Sequence, residues 1–221
     1  MADWAVFDVD GTLLPGTSME KEFSKYLLRC RVIRFTSLFS FLLEGFGNLL
    51  NGQGLYGLKR SKKYLKGIPV SLIEQKSIWF FNNKIWPTIS IEGLNTTKQY
   101  QKNGCKILLM SGSPDFLTNQ LANKLEADFA IACNLDIKGE TYSGSVNGFH
   151  PYGEQKKNLL LNAKDKLDIE FEKSTVFANH HTDVIHMELF GKPVAVNPTT
   201  TLRKIALERE WEIRHWGSDA S

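Results

Sequence analysis

Short apolar runs alternate with amphipathic segments along most of the chain, and this pattern predicts alternating strands and helices. The first apolar run, at residues 4–7, is uninterrupted and ends at Asp8, which is typical of a buried strand. The later predicted elements are a helix at 91–103, a strand at 106–110, a helix at 114–125, a strand at 129–133, a hairpin at 135–146, a helix at 154–166, a strand at 175–177, a helix at 183–190, a last strand at 193–196 and a last helix at 201–210. Apolar strands separated by helices indicate an α/β fold with a parallel sheet that is covered on both faces.

Between the first strand and this alternating region the pattern is helical, and no strand is predicted there. Ser18 precedes a helical segment rich in glutamate and is a candidate N-cap. We therefore predict an α-helical cap domain at residues 17–87, inserted into a three-layer core that consists of residues 1–16 and 88–221.

The composition is that of an ordinary globular protein, with 221 residues of which 42% are hydrophobic and 23% charged. The net charge of +3 is small and dispersed, so a nucleic-acid partner is not expected. The three cysteines have no regular spacing, which argues against a disulfide framework or a cysteine zinc site and favours a reduced, cytoplasmic location. No basic segment followed by a long apolar run is present at the N-terminus, so no secretory signal is expected.

The segment 32–50 is rich in phenylalanine and leucine, but polar residues and glycines interrupt it. Because a membrane span needs about 20 mostly apolar residues, a transmembrane helix is not expected. The segment forms either the packed interior of the cap or an apolar lid over a lipid-like phosphate. A nearby basic cluster would favour an anionic substrate or a membrane surface; it consists of Lys59, Arg60, Lys62, Lys63 and Lys66. We favour a packed helix beside a solvated basic one, so a membrane or a lipid-phosphate substrate is the less favoured alternative.

Two carboxylates follow the first predicted strand, at Asp8 and Asp10. Ligands of parallel sheets bind beyond the carboxyl ends of the strands. A carboxylate there can attack phosphorus, and a pair of carboxylates suits Mg²⁺ together with substrate oxygens. The alternatives are a turn that only ends the strand and a calcium loop. A calcium loop is excluded because its twelfth position is Met19 and not an acid.

Further candidate ligands follow the next predicted strand and open a later helix. Ser111 and Gly112 offer a hydroxyl and backbone N–H groups of the kind that bind phosphate. The alternative is an ordinary helix cap, with Ser113 as the capping residue and Pro114 in the first turn; Ser113 could cap while Ser111 faces the ligand. Lys156 is either a cation for a transferring phosphoryl group or a solvated surface lysine.

The segment after the predicted strand at 175–177 contains Asn179 and Asp183, and Asp183 could complete a metal site. The adjacent His180 and His181 could suggest a transition metal. Neighbouring residues rarely face the same point, however, so a histidine-based site is not expected.

Taken in chain order, these segments resemble the four motifs of the haloacid dehalogenase superfamily. Residues 8–12 match its DxDGT motif, residues 106–111 its strand ending in serine, Lys156 its lysine and residues 178–183 its acidic fourth motif. Residues 191–198 are similar to the closing strand of the family. The helical insert resembles the cap of the phosphoserine-phosphatase-like subgroup (subfamily IB).

The resemblance implies a Rossmann-like core with a helical cap and a Mg²⁺-dependent phosphohydrolase that acts on a small phosphorylated substrate. It implies catalytic roles for Asp8 and Asp10, phosphate binding by Ser111, Gly112 and Lys156, and metal binding by Asp8, the Asp10 backbone carbonyl, Asn179 and Asp183. Dehalogenation is disfavoured because it needs no magnesium and leaves the paired aspartates unexplained.

Two departures from the family pattern affect the expected function. The fourth motif normally begins with Gly-Asp, and here it begins with Ala178 and Asn179. Since Asn179 supplies one fewer negative charge, weaker metal binding is expected, and a protein that binds a phosphorylated ligand without turnover is the second hypothesis. Thr17 and Ser18 stand where phosphoserine enzymes carry a glutamate for the substrate amine, which argues against phosphoserine as the substrate.

Overall fold

A computed structural model describes residues 3–33 and 61–217. The strands are β1 (Trp4–Asp8), β2 (Lys106–Pro114), β3 (Phe129–Cys133), β4 (Leu135–Lys138), β5 (Thr141–Val146), β6 (Thr175–Ala178), β7 (Lys192–Val196) and β8 (Glu212–Arg214). The α-helices in the described residues are α1 (Met19–Arg29), α2 (Val70–Phe80), α3 (Ile91–Lys102), α4 (Asp115–Leu125), α5 (Glu154–Leu167), α6 (Val184–Met187) and α7 (Thr200–Glu208). A π-helical turn at Phe81–Ile85 and short 3₁₀ turns, among them Lys63–Leu65 and His181–Asp183, connect these elements.

Six strands form one parallel sheet in the order β3-β2-β1-β6-β7-β8, and β4 and β5 form a separate antiparallel hairpin. β1 lies between β2 and β6, with Asp8 opposite Met110 and Phe7 opposite Phe177. The carboxyl ends of these three strands are therefore neighbours. The chain segments that follow them meet at one edge of the sheet, where parallel sheets bind ligands.

The alternating side chains of β1 show that both faces of the sheet are covered. Phe7 belongs to one hydrophobic cluster, stacks on Phe177 with ring centroids 4.5 Å apart, and shares the cluster with residues of α1, α2 and α4. Val6 belongs to a second cluster with residues of α5, α6 and α7. Alternate residues of β1 thus pack into clusters on opposite faces of the sheet, which confirms the predicted α/β class with a three-layer, Rossmann-like parallel sheet.

The predicted elements are largely present, with several differences. Ser18 is the N-cap of α1, because its side chain accepts a hydrogen bond from the Lys21 N–H, and the predicted hairpin is β4–β5. The prediction of a last strand at 193–196 is wrong, since β8 follows and pairs in parallel with β7. β8 has only three residues, of which two are charged, so no apolar run indicates it. In place of the helix predicted at 183–190, the structure has α6, which covers only four residues.

In the predicted cap, the structure describes residues 17–33 and 61–87. Within this part α1 packs against α2, with the rings of Phe23 and Phe80 5.2 Å apart. The Phe-rich part of the predicted cap at 34–50 and the basic residues Lys59 and Arg60 lie outside the described residues. The division into core and cap stays a prediction. In the described ranges, no helix has the length and apolar character that crossing a membrane requires.

Candidate active site

A pocket of about 480 Å³ opens at the carboxyl edge of the sheet, beyond β1, β2 and β6. Its lining contains most of the residues that the sequence singled out: Asp8, Asp10, Gly112, Lys156, Asn179 and Asp183. Ser111 is fully buried and lies directly behind the pocket, because its hydroxyl donates to the Asp10 carboxylate at 2.9 Å. Residues from four separate chain segments thus meet at the predicted edge.

Lys156 joins the two acidic ends of the site. Its Nζ lies 2.6 Å from Asp8 Oδ1 and 2.8 Å from Asp183 Oδ1, and all three side chains are buried. Burial alone would lower the pKa of Lys156, but the two carboxylates outweigh it and raise that pKa. The interpretation of Lys156 as a solvated surface lysine is therefore wrong.

The environment of Asp8 makes its charged form costly. Burial raises its pKa to about 7, because the attraction of Lys156 only partly offsets desolvation and the repulsion of Asp183 and Asp10. Asp8 Oδ2 also accepts a hydrogen bond of 2.9 Å from the Thr12 hydroxyl. Burial acts on Asp183 in the same direction, but Lys156 and His186 outweigh it and lower its pKa. An additional cation would stabilise the ionised form of Asp8.

Asp10 has a different environment, built from hydrogen bonds and the start of α1. Its Oδ1 accepts from the Met19 N–H at 2.8 Å, and its Oδ2 accepts from the hydroxyls of Ser111 and Ser113 at 2.9 and 2.8 Å. Burial raises the pKa of Asp10 although these hydrogen bonds oppose the rise. A carboxyl with a raised pKa beside a candidate nucleophile suits proton transfer near neutral pH.

Ser113 does not cap the helix that follows β2. The helix begins at Asp115, and the Ser113 hydroxyl instead donates to Asp10 and accepts from the Glu20 N–H at 3.2 Å. Ser111 Oγ in turn accepts from the Ser113 N–H at 2.9 Å. Both hydroxyls therefore position Asp10, and contact between Ser111 and a phosphoryl group stays a prediction.

Asn179 lies against the turn that follows β1. Gly11 has a φ of +89°, and a Cβ placed on it would be 2.1 Å from Asn179 Nδ2, so only glycine fits there.

The rings of His180 and His181 line the same pocket with their centroids 4.1 Å apart, and His180 Nδ1 contacts the Thr182 hydroxyl at 2.8 Å. Across residues 3–33 and 61–217 no cluster of three or more His, Cys, Asp or Glu side chains is arranged to hold a metal ion.

Sequence reasoning missed two pocket residues, Glu20 and His150. The sequence indicates only that Glu20 is an acid near the start of a helix, and nothing in it indicates that Lys62, 42 positions later, pairs with Glu20 at 2.6 Å. Lys62 is 2% exposed, so the prediction of a solvated basic helix is wrong for this residue. His150 is buried beside Gly112 on the loop between β5 and α5, which carries no recognisable motif.

Comparison with known proteins agrees with the predicted resemblance. Residues 5–188 match the family model described as haloacid dehalogenase-like hydrolase. The chain is 24% identical over 219 residues to phosphoserine phosphatase SerB1 of Mycobacterium tuberculosis, covering 95% of this chain and 70% of that protein. It is 24% identical over 214 residues to the inhibition of morphological differentiation protein of Streptomyces azureus, covering 95% of this chain and 76% of that protein.

Solved structures support the fold. A Bordetella pertussis Tohama I protein with unknown function superposes with a TM-score of 0.81 at 19% identity, covering 97% of this chain and 98% of that one. A phospho-aspartyl intermediate analogue of phosphoserine phosphatase superposes with a TM-score of 0.66 at 19% identity, covering 99% of this chain and 95% of that one.

Proposed function

This chain belongs to the haloacid dehalogenase-like hydrolase family, and on that basis we propose that it hydrolyses phosphate monoesters through an aspartyl-phosphate formed on Asp8. The observation that carries the proposal is the pairing of Asp8 with the buried Lys156 in a pocket that also contains Asp10. One carboxylate is positioned to attack, a second has a raised pKa, and a cation lies beside the first. The phosphatases among the similar proteins support the same reaction class.

The proposed reaction has two steps. In the first, an Asp8 carboxylate oxygen forms a bond to phosphorus, the ester P–O bond breaks, and Asp10 donates its proton to the leaving oxygen. In the second, water attacks the phosphorus, Asp10 accepts a proton from that water, and phosphate leaves with Asp8 restored. Lys156, the Gly112 N–H and Ser111 stabilise the charge on the phosphoryl oxygens.

The donor set is compatible with Mg²⁺. Asp8 and Asp183 share Lys156 as their cation, and Asp10 lines the same pocket, so its oxygens are available to a second cation. We propose that the Asp8 carboxylate, the Asp10 backbone carbonyl, Asn179 and Asp183 hold the ion, because Mg²⁺ prefers a few oxygen ligands of this kind. When bound, it offsets the repulsion between the anionic nucleophile and the anionic ester.

Binding of Mg²⁺ should depend on pH through Asp8. Because the pKa of Asp8 is about 7 and a metal binds only its ionised form, the apparent Mg²⁺ affinity should fall as pH drops below 7 and level off above it. The expected difference between about pH 6 and pH 8 is roughly tenfold in Kd, measured by calorimetry. The Asp8→Asn chain is the control and should show a smaller slope; equal wild-type affinities at both pH values would contradict the assignment.

The second hypothesis is a protein that binds a phosphorylated ligand without turnover, and Asn179 motivates it. An assay of the purified chain with p-nitrophenyl phosphate, with Mg²⁺ and with a chelator, separates the two. Metal-dependent phosphate release supports the phosphohydrolase. No release from the wild-type chain, but release from Asn179→Asp, would show that the missing charge has abolished turnover. We expect wild-type release, and an increase in apparent Mg²⁺ affinity of about tenfold in Asn179→Asp, because one negative charge is added.

We also propose that residues 17–87 act as the cap over this pocket and that the substrate is a small phosphorylated molecule in a cytoplasmic setting. α1 supports the first point, since its N-terminal turn donates to Asp10 and Ser113 and so lies directly on the site.

A further inference from the structure

Glu20 has a position in the pocket that the reaction chemistry leaves unexplained. It stands in the first turn of α1 and lines the same cavity as Asp8 and Asp10. Its N–H donates to Ser113 Oγ, and that hydroxyl donates to Asp10. Two hydrogen bonds through Ser113 therefore link Glu20 to Asp10, the residue that is proposed to protonate the leaving oxygen.

The Glu20 carboxylate is held from behind by two buried side chains. Lys62 Nζ lies 2.7 and 2.6 Å from its two oxygens, and the Tyr64 hydroxyl donates to Oε1 at 2.9 Å. The Lys62 side chain is 3% exposed and Tyr64 is 4% exposed, whereas the Glu20 side chain keeps 23% of its surface accessible. The lysine is thus covered, and Glu20 is the member of the pair that lines the cavity.

Backbone hydrogen bonds fix the segment that supplies Lys62 to the β4–β5 hairpin. The Lys62 N–H donates to the Gly144 carbonyl at 3.0 Å, the Gly67 N–H to the Tyr142 carbonyl at 2.8 Å, and the Tyr142 N–H to the Ile68 carbonyl at 3.1 Å. Burying a lysine is costly unless a carboxylate pairs with it. A fixed, buried counter-ion for a glutamate that lines the cavity and stays partly accessible indicates that this glutamate has a use in the cavity.

We propose that Glu20 selects the leaving group of the substrate by accepting a hydrogen bond from a hydroxyl or ammonium group on it, and that it disfavours leaving groups that carry a negative charge. This inference rests on the proposed function, because it assigns the leaving-group side of the same pocket. The Glu20 carboxylate can accept a hydrogen bond from such a hydroxyl or ammonium group, and it repels a second anion. Lys62 and Tyr64 are positioning residues, since they hold the carboxylate without lining the cavity.

Four small phosphate esters separate the chemical features involved. Glycerol phosphate and aminoethyl phosphate carry a hydroxyl and an ammonium donor, propyl phosphate carries no donor, and phosphoglycolate carries a carboxylate and no donor. For the wild-type chain we expect kcat/KM on each of the first two to exceed that on propyl phosphate by about tenfold or more, because the propyl ester adds no donor to those that Lys62 and Tyr64 already give Glu20. Phosphoglycolate should be the poorest substrate of the four.

Variants of Glu20 test whether this residue causes the preference. Glu20→Gln should reduce the ratio of glycerol to propyl phosphate about threefold or more, because an amide oxygen is a weaker acceptor than a carboxylate. This change leaves Lys62 buried without its partner, so a second variant, Glu20→Met with Lys62→Met, removes both charges together. It should abolish the preference, so that the ratio of kcat/KM on glycerol phosphate to kcat/KM on propyl phosphate falls to about one.

Glu22→Gln is the matched control on the same helix, since Glu22 hydrogen-bonds Lys25 and Thr17 and lines a different cavity. It should leave the relative kcat/KM values of the four esters unchanged. Two results would overturn the proposal: a wild-type chain that turns over propyl phosphate as well as glycerol and aminoethyl phosphate, or Glu20 variants that change all esters by one common factor.

The proposed function can fail separately from this proposal. If no ester is hydrolysed, p-nitrophenyl phosphate included, the phosphohydrolase assignment is wrong, and the preference is then measured as Kd by calorimetry on the Asp8→Asn chain. A Kd for glycerol phosphate at least about threefold below that for propyl phosphate, lost in a chain that also carries Glu20→Gln, supports the role of Glu20. Equal Kd values for the two esters would overturn it.

Discussion

Replacement of Asp8 by asparagine should lower kcat for every phosphate monoester by at least about a thousandfold. The amide cannot form the bond to phosphorus, whereas its shape and its hydrogen bond with the Thr12 hydroxyl can be kept. Lys156 retains Asp183 as its partner at 2.8 Å, so no buried charge loses its last counter-ion. The loss should therefore appear in kcat, while the affinity for the product phosphate changes far less.

The same substitution should leave the stability of the fold unchanged or slightly increased. Burial raises the pKa of Asp8 to about 7, which means that the ionised carboxylate opposes folding at higher pH, and asparagine removes that cost. The free energy of unfolding in urea measures this effect. Asp115→Asn is the control, because Asp115 also has a pKa raised by burial but does not line the pocket, and it should keep full turnover. Retention of a tenth of the wild-type kcat by Asp8→Asn would exclude Asp8 as the nucleophile.

Replacement of Lys156 by methionine should have the largest effect on stability, together with a loss of turnover of about a hundredfold or more. Lys156 is the cation shared by Asp8 and Asp183, and all three side chains are buried. Removal of one partner of a buried ion pair typically costs about 3–5 kcal/mol, because the remaining charge has no compensation. Unfolding in urea and steady-state kinetics measure the two losses.

The destabilisation by Lys156→Met should depend on pH. Without the lysine the pKa of Asp8 rises further and the pKa of Asp183 loses the main influence that lowers it, so at low pH both carboxyls take up protons and the repulsion disappears. The difference in unfolding free energy between variant and wild type should therefore be larger at about pH 8 than at about pH 5. Lys157→Met, one residue further along α5, is the control and should be nearly neutral. Equal stability of Lys156→Met and the wild-type chain at the higher pH would contradict the paired geometry.

The sequence predicted those parts of the fold and site that local pattern determines. Uninterrupted apolar strands indicated the parallel sheet, and a strand followed directly by Asp8 and Asp10 indicated the edge where the pocket lies. Lys156 was ambiguous from its own neighbourhood, because a lysine in the first turn of a helix is usually solvated. Only the order of the motifs along the chain suggested its role, and only the structure shows it between Asp8 and Asp183.

The remaining features depend on contacts between distant segments. The pair of Glu20 and Lys62 is assembled by the β4–β5 hairpin, whose backbone hydrogen bonds fix the segment that begins at Lys62. β8 forms because β7 offers an edge to pair with, although its own residues are mostly polar. The interaction of Ser113 with Asp10 replaces a helix cap that local preference favoured. In each case a tertiary contact outweighs or supplements the local pattern.

The most direct test of the proposed chemistry is to trap the covalent intermediate. The chain is mixed with a phosphate monoester and Mg²⁺, and the reaction is quenched in acid within a single turnover. The chain is then digested, and the masses of its peptides are measured by mass spectrometry. We expect a peptide that contains Asp8 with the added mass of one phosphoryl group, and no such peptide from Asp8→Asn. Turnover accompanied by an adduct on another residue, or by no adduct at any quench time during a single turnover, would contradict it.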